Sequence, residues 1–351
     1  MTSYGHSCFK VVVRAWFGRH GDQSLAKPVG KVITPAFIAA LVMSMTGCGE
    51  ATVSALAPAG EAAAEIARIT WIMIAVTLVL MVVMSLLGLH AVYRRSEGPV
   101  GPSSRTIILA GGVIVPAVVL LALLVFGVRS GDAMLPIGKS AVEVRVTAHQ
   151  WWWQFEYRDA DGESVFTANE LHLPVGEAID ILVESNDVIH SFWVPALGGK
   201  IDAMPGRANR MRLRPTRTGQ FRGQCAEYCG AQHAHMAFDV QVHQVEDFQA
   251  LIETMSGLDR SGVGPTAGRE AFEQQCLECH SRSTDRDFEG PNLARLPERP
   301  WLGAGTVSNT PGNLRHWIVG HQALKPGNRM PDHSDMDEGT IEALARYLEA
   351  Q

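Results

Sequence analysis

CAEYCGAQHAHM, running from Cys225 to Met236, is the stretch that decides how this chain is read. Cys225 and Cys229 stand four apart, His233 follows four later and Met236 three after that, so one short turn aims two thiols, an imidazole and a thioether inward. These are soft donors, which suit copper or zinc rather than a hard cation, and a methionine placed as a distant axial donor tilts the choice toward copper. The second histidine such a site wants stands upstream in DVIHSFW, at His190. A structural zinc site competes with this reading, although zinc motifs usually bring their ligands as two close pairs and would leave the methionine idle. A copper-delivery protein competes as well.

Around this turn the pattern is that of strands. Val142, Val144 and Val146 alternate with Glu143, Arg145 and Thr147, the period-two signature of a strand with one buried face. Further strand-like pieces at Ala178 to Val183, Arg210 to Leu213 and Ala237 to Val242 are separated by Pro, Gly and Asn turns, the spacing of a small β-sandwich. His190 and the cysteine turn then meet as loops at one end of the sandwich, where a rigid β scaffold commonly carries its binding residues. His235 and His243 are read as surface histidines. Trp151, Trp152 and Trp153 form an aromatic block that in a strand is most often core or interface area.

Ahead of the strands lie two uncharged apolar runs, Ile69 to Leu89 and Thr106 to Val128, each of at least the ~20 residues that span a bilayer core. The loop between them carries Arg94, Arg95 and Arg105 against the single Glu97, which marks it as cytoplasmic by the positive-inside rule. Both ends of the hairpin, and everything after Val128, then lie outside the cytoplasm. Earlier still, Arg14, Arg19, Lys27 and Lys31 precede the apolar run Val32 to Met45, with Thr46 and Gly47 just before Cys48. This resembles a bacterial lipoprotein signal, in which Cys48 becomes the lipidated first residue; a plain signal peptide or an extra helix is the alternative. Cys8 has no evident role. The net charge of -6 over 351 residues, without a basic stripe, gives no case for nucleic acid.

Past Gln249 the stretch SGLDRSGVGPTAG reads as a linker. It leads to Cys276, Cys279 and His280, the CxxCH pattern by which two thiols attach a c-type haem and the histidine becomes its proximal ligand. Gly268 to Gln275 and Gly339 to Ala350 are helix-compatible, NLRHWIVG has helical spacing around Trp317, and GPNL and NRMP stand between.

Three blocks in order, HQWWWQFEY from His149, DVIHSFWVPALGGKIDAMPGR from Asp187 and GQCAEYCGAQHAHM from Gly223, together resemble subunit II of cytochrome c oxidase. The last hundred residues resemble a class I cytochrome c, and a subunit II fused to a cytochrome c resembles the caa(3)-type oxidases. The implied architecture is a multidomain membrane protein: a signal peptide at 1–47, an extracytoplasmic segment at 48–68, a transmembrane helical hairpin at 69–128, a cupredoxin-like β-sandwich at 129–250, a linker at 251–266 and an all-α cytochrome c domain at 267–351.

The resemblance also implies a binuclear copper centre, CuA. Cys225 and Cys229 would bridge, His190 and His233 would be terminal ligands, Met236 a weak ligand and Glu227 a backbone-carbonyl ligand, while the Glu227 side chain would bind Mg²⁺ or Mn²⁺ at the interface with subunit I. Trp151 would be where electrons arrive from cytochrome c. In the cytochrome domain Pro291 would accept a hydrogen bond from His280, and Met330, preferred to Met336, would be the distal haem ligand, with His316, His321 and His333 as competitors. The implied activity is electron transfer through haem c and CuA to haem a of subunit I, for O₂ reduction coupled to proton translocation. Cytochrome c or a quinol-cytochrome c reductase would be the donor and the bacterial cell membrane the location. One departure stands out: where many members carry a Glu seven residues ahead of the Pro in the second span, this chain has Leu109 ahead of Pro116, so proton uptake there does not carry over. The competing readings are a free-standing copper or haem electron-transfer lipoprotein and the electron-input subunit of a nitric oxide or nitrous oxide reductase.

Overall fold

The computed structural model describes residues 53–93, 103–131, 135–260, 262–285 and 289–351. The signal segment, Cys8, Cys48 and the loop residues Arg94, Arg95 and Glu97 lie outside the described residues. Helix α1 (Glu61–Tyr93) contains the first apolar run, and the second is carried by α2 (Ser103–Leu109), a π-turn (Ala110–Ile114) and α3 (Val115–Gly131). Both are long and apolar enough to cross a membrane, and their Leu, Val, Ile and Met side chains face outward along the whole run. The π-turn has a local cause. Pro116 lacks an N–H and its ring crowds the carbonyl four residues back, so the helix widens just before it and the Val115 N–H reaches Ala110 O instead.

The start of α1 is fastened to the β-domain. Ala59 is fully buried, its N–H donates to Ala196 O (2.7 Å) and its carbonyl accepts from the Thr216 N–H (2.8 Å). Gly60 has no room for a side chain, since a Cβ there would lie 2.4 Å from Leu197 O. Past α3, the carbonyls of Ile137 and Gly138 accept from Arg212 of the β-domain.

That domain is a sandwich of two five-stranded sheets. One sheet orders β1 (Val142–His149), β2 (Trp152–Arg158), β3 (Ser164–Ala168), β5 (Ile179–Ser185) and β8 (Asn209–Leu213) as β3-β2-β1-β5-β8. The other orders β4 (Glu170–Pro174), β6 (His190–Trp193), β7 (Lys200–Ala203), β9 (Gly219–Cys225) and β10 (Ala237–His243) as β4-β10-β9-β6-β7. The valines of β1 alternate inward as their period predicts, and Trp153, Phe155, Phe192 and Phe238 fill the space between the sheets. Cys225, Cys229 and Met236 belong to this same buried cluster, so three of the expected metal donors are anchored in the core. Such a cluster resists displacement, because protein interiors are close-packed.

Two expectations change here. Residues 251–255, assigned to the linker, form the last turn of α4 (Val245–Met255), whose Phe248, Ile252 and Met255 bury against the sandwich core. His243, expected at the surface, is half-buried with its Nε2 3.0 Å from Nδ1 of the buried His172, because β10 and β4 pair in parallel and bring the two side by side.

The C-terminal domain packs α5 (Thr266–Gln275), α6 (Pro311–Leu324) and α7 (Glu338–Leu348) around Phe272, Leu314, Ile318, Leu344 and Tyr347. Helices α5 and α7 cross so tightly that a Cβ on Gly268 would lie 2.1 Å from Ala343 O. One short strand pair, β11 (Trp301–Leu302) with β12 (Val307–Ser308), is added to the expected all-helical plan. This domain sits against the sandwich: the Ala237 N–H donates to Ala304 O (3.0 Å), the Phe166 N–H to Thr284 O (2.7 Å), and the buried Arg299 Nε to Glu170 Oε2 (3.2 Å).

Candidate metal and haem centres

The turn after β9 and the start of β6 bring the expected copper donors together at one end of the sandwich. The Cys225 and Cys229 sulfurs are 3.8 Å apart, as free thiols rather than a disulfide, whose sulfurs would be about 2 Å apart. His190 Nδ1 lies 3.9 Å from Cys225 Sγ, His233 Nδ1 3.6 Å from Cys229 Sγ, Met236 Sδ 3.8 Å from Cys229 Sγ, and Glu227 O 3.1 Å from Cys225 Sγ. Both histidines thus turn Nδ1 toward the sulfurs. His190, Cys225 and Cys229 are all buried and could grip one ion among them. All six expected donor residues converge, and five of the groups are sulfur or imidazole, which fits copper and does not fit a hard cation.

The electrostatics agree with a cation-ready site. The neighbouring Cys229 thiol and His190 favour a thiolate at Cys225 and hold its pKa far below the usual thiol range, while the charge on Cys225 then pushes Cys229 up. Burial disfavours charge on His190, but hydrogen bonds to Asp187 and Cys225 outweigh it and raise its pKa. Asp187 is the residue that sequence reasoning missed. Its Oδ1 accepts from His190 Nε2 (2.8 Å), which fixes the ring so that Nδ1 points at the sulfurs. The signal was present as the Asp three residues before His190 in DVIH, but only the fold shows that the two meet.

Trp151 is half-buried beside this site, and its Nε1 donates to Cys229 O (3.0 Å). Trp153 is fully buried core, and Trp152 stacks on His149 with ring centroids 4.2 Å apart. The Glu227 side chain is exposed and His235 is exposed with its Nδ1 donating to Gln232 Oε1 (2.8 Å).

In the helical domain the pattern fits a covalently attached haem. Cys276 and Cys279 are free and partly exposed, and His280 donates from Nδ1 to Pro291 O (2.7 Å), which leaves Nε2 as the lone-pair nitrogen. Gly290 lets the loop press on this histidine, since a Cβ there would lie 3.0 Å from the His280 ring. Burial lowers the pKa of His280, favouring the neutral, ligating form. Met330 is half-buried in the loop after α6, its N–H donating to Asn328 Oδ1 (3.0 Å), whereas Met336 packs against the helical core. Of the competing histidines, His321 is fully buried with Nε2 donating to Pro331 O (3.0 Å) and Nδ1 accepting from Asn328 (3.0 Å); both its nitrogens are used. His316 is exposed and His333 half-buried.

The family described as cytochrome C oxidase subunit II, periplasmic domain, matches residues 161–243, and the family described as cytochrome c matches residues 265–351. The chain is 36% identical over 324 residues to the cytochrome c oxidase subunit 2 of Alkalihalophilus pseudofirmus, covering 88% of this chain and 94% of that protein. It belongs to the cytochrome c oxidase subunit 2 family. The subunit 2 of Bacillus subtilis is 29% identical over 343 residues, covering 95% of its length. Among solved structures, the periplasmic domain of subunit II of cytochrome oxidase from Bradyrhizobium japonicum is 34% identical, covers 34% of this chain and 95% of that one, and superposes with a TM-score of 0.32. This subunit II is thus part of an oxidoreductase, a membrane protein whose β-domain is the copper-site domain and whose C-terminal domain is a cytochrome c.

Proposed function

We propose that this chain relays electrons within a caa(3)-type cytochrome c oxidase, from a covalently attached haem c through a binuclear CuA centre to haem a of subunit I, where O₂ is reduced and protons are translocated. The observation that carries this is the cluster in which two imidazole Nδ1 atoms, a thioether and a main-chain carbonyl each lie 3.1–3.9 Å from one of two thiols that are themselves 3.8 Å apart, on the same chain as the His280–Pro291 pair. Cys225, Cys229, His190, His233, Met236 and the Glu227 carbonyl would hold the copper centre, whose soft sulfur and imidazole donors would let it accept and pass on one electron at a time.

The chain's own residues do the positioning. Asp187 orients His190, the core anchors Cys225, Cys229 and Met236, and Pro291 fixes the tautomer of His280. Cys276, Cys279 and His280 would hold the haem, with Met330 as its distal ligand, an arrangement that suits electron transfer. The domains divide at 1–47, 48–68, 69–128, 129–255 and 267–351, with the linker confined to the residues after Met255. Cys48 would carry the lipid, the domains would lie outside the bacterial cell membrane, and cytochrome c or a quinol-cytochrome c reductase would be the donor. The exposed Glu227 carboxylate would bind Mg²⁺ or Mn²⁺ against subunit I.

The test is Cys225→Ser in the purified oxidase. Haem c should still be reduced by an added donor while copper and O₂ uptake are lost together. O₂ uptake persisting after copper loss would refute the relay.

A further inference from the structure

Lys325, at the C-terminal end of α6, is 3% exposed and meets no carboxylate among the described residues. Its ammonium has three N–H donors, and each meets a main-chain carbonyl: Trp151 O (2.8 Å) and His235 O (2.7 Å) on the sandwich, and Gly303 O (2.7 Å) on the haem domain. Burying a cation costs several kcal/mol unless its donors are satisfied, and an apolar side chain in the same space would avoid that cost. Burial accordingly lowers the Lys325 pKa to about 7. What the lysine gains is placement, because its three carbonyls come from three separate segments, two on the sandwich and one on the haem domain.

The loop that follows lies on the copper turn. Pro326 O accepts from Gln232 Nε2 (2.8 Å), next to His233 in the chain. Gly327, at φ +79°, brings its backbone over the Trp151 ring, 4.0 Å from where its Cβ would be. Arg329, next to Met330, reaches Asp187 Oδ2 (3.4 Å), the carboxylate that orients His190. Trp151 in turn donates to Cys229 O.

We propose that Lys325 is a positioning residue that pins the 325–330 loop of the haem domain onto the copper turn, so that the internal donor works from a fixed docked position and Trp151 serves it rather than an external cytochrome. This rests on the relay proposed above. In that transfer one electron leaves the reduced haem and the copper pair gains it, with no proton or bond change required of Lys325. Lys325 donates to Trp151 O and Trp151 Nε1 to Cys229 O, so the haem domain is tied to the copper turn through consecutive hydrogen bonds.

The experiment uses the intact oxidase complex and compares the native chain with Lys325→Met. Hydrogen exchange at residues 225–236 and 325–330 is measured together with the haem c to copper transfer rate in buffers of rising glycerol content. In the native complex both segments should be protected and the rate independent of viscosity. In the variant, with haem c and copper spectra unchanged, both segments should lose protection and transfer should slow by about tenfold or more, as ångström-scale misplacement does elsewhere, and become viscosity-dependent. A native rate that falls with viscosity overturns the proposal, as does a variant that keeps both rate and protection. If the variant does not assemble, the native viscosity and exchange results decide alone. Absence of copper from the native complex would overturn the relay instead, and exchange at 325–330 would still report on the pin.

Discussion

Arg299→Met isolates what holds the two extramembrane domains together. Arg299 and Glu170 are each almost wholly buried at the domain boundary, 3.2 Å apart, and Arg299 also donates to Ala294 O (3.2 Å). Burial raises the Glu170 pKa and lowers that of Arg299 despite their pairing, so desolvation outweighs the attraction on both sides. Removing the arginine leaves a buried carboxylate unpaired, which costs about 3–5 kcal/mol in comparable buried pairs. Proton uptake by Glu170, already favoured by burial, brings the expected loss to the lower end, about 3 kcal/mol at neutral pH. The double variant Glu170→Leu, Arg299→Met removes both charges and forfeits mainly the hydrogen bond to Ala294, about 1 kcal/mol. Urea unfolding of the full chain in detergent, followed by tryptophan fluorescence, should therefore show the double variant about 2 kcal/mol more stable than the single one. Equal losses in the two, or a single variant within about 0.5 kcal/mol of the native chain, the range of ordinary surface changes, would refute the reasoning.

Other consequences are quickly stated. Asp187→Ala frees the His190 ring and should weaken copper retention by about 10–100-fold, read by dialysis against a chelator. Burial, with His243 and nearby arginines adding to it, lowers the His172 pKa from 6.5 to about 3. As pH falls below 6.5 the unfolded chain takes up a proton that the folded chain refuses, so stability should drop by about 1.4 kcal/mol per pH unit from this group, and His172→Leu should flatten the slope of stability against pH between 6 and 4 by roughly that amount. Gly268→Ala forces α5 away from α7 and should cost about 1–3 kcal/mol or more, seen as a lower melting temperature of the haem domain.

The candidate donors Cys225, Cys229, His233, Met236 and His190 were legible because they sit in one short turn plus one upstream histidine, and the structure brings them together; Glu227 came only with the family resemblance. The strands of β1, β5, β8 and β10 were legible from alternation, and the spans from length and hydropathy. What stayed hidden depends on contacts between distant segments. Lys325 lies in a KPG turn with no sequence signal of its own, and only the docking of α6 on the sandwich adds the Trp151 and His235 carbonyls to that of Gly303. His172 and His243 meet through a parallel pairing of β4 and β10 that alternation does not specify. Helix α4 carried a helical period at Phe248, Ile252 and Met255, but the Gly, Ser and Pro residues after it drew the linker boundary too early.

The most direct test of the relay is the electron paramagnetic resonance and optical spectrum of the intact purified complex. The account predicts a mixed-valence signal with the unpaired electron shared by two copper nuclei, together with haem c and haem a bands. A chain that leaves the membrane without a haem a partner, or a complex holding haem b and non-haem iron without the shared copper signal, would contradict it.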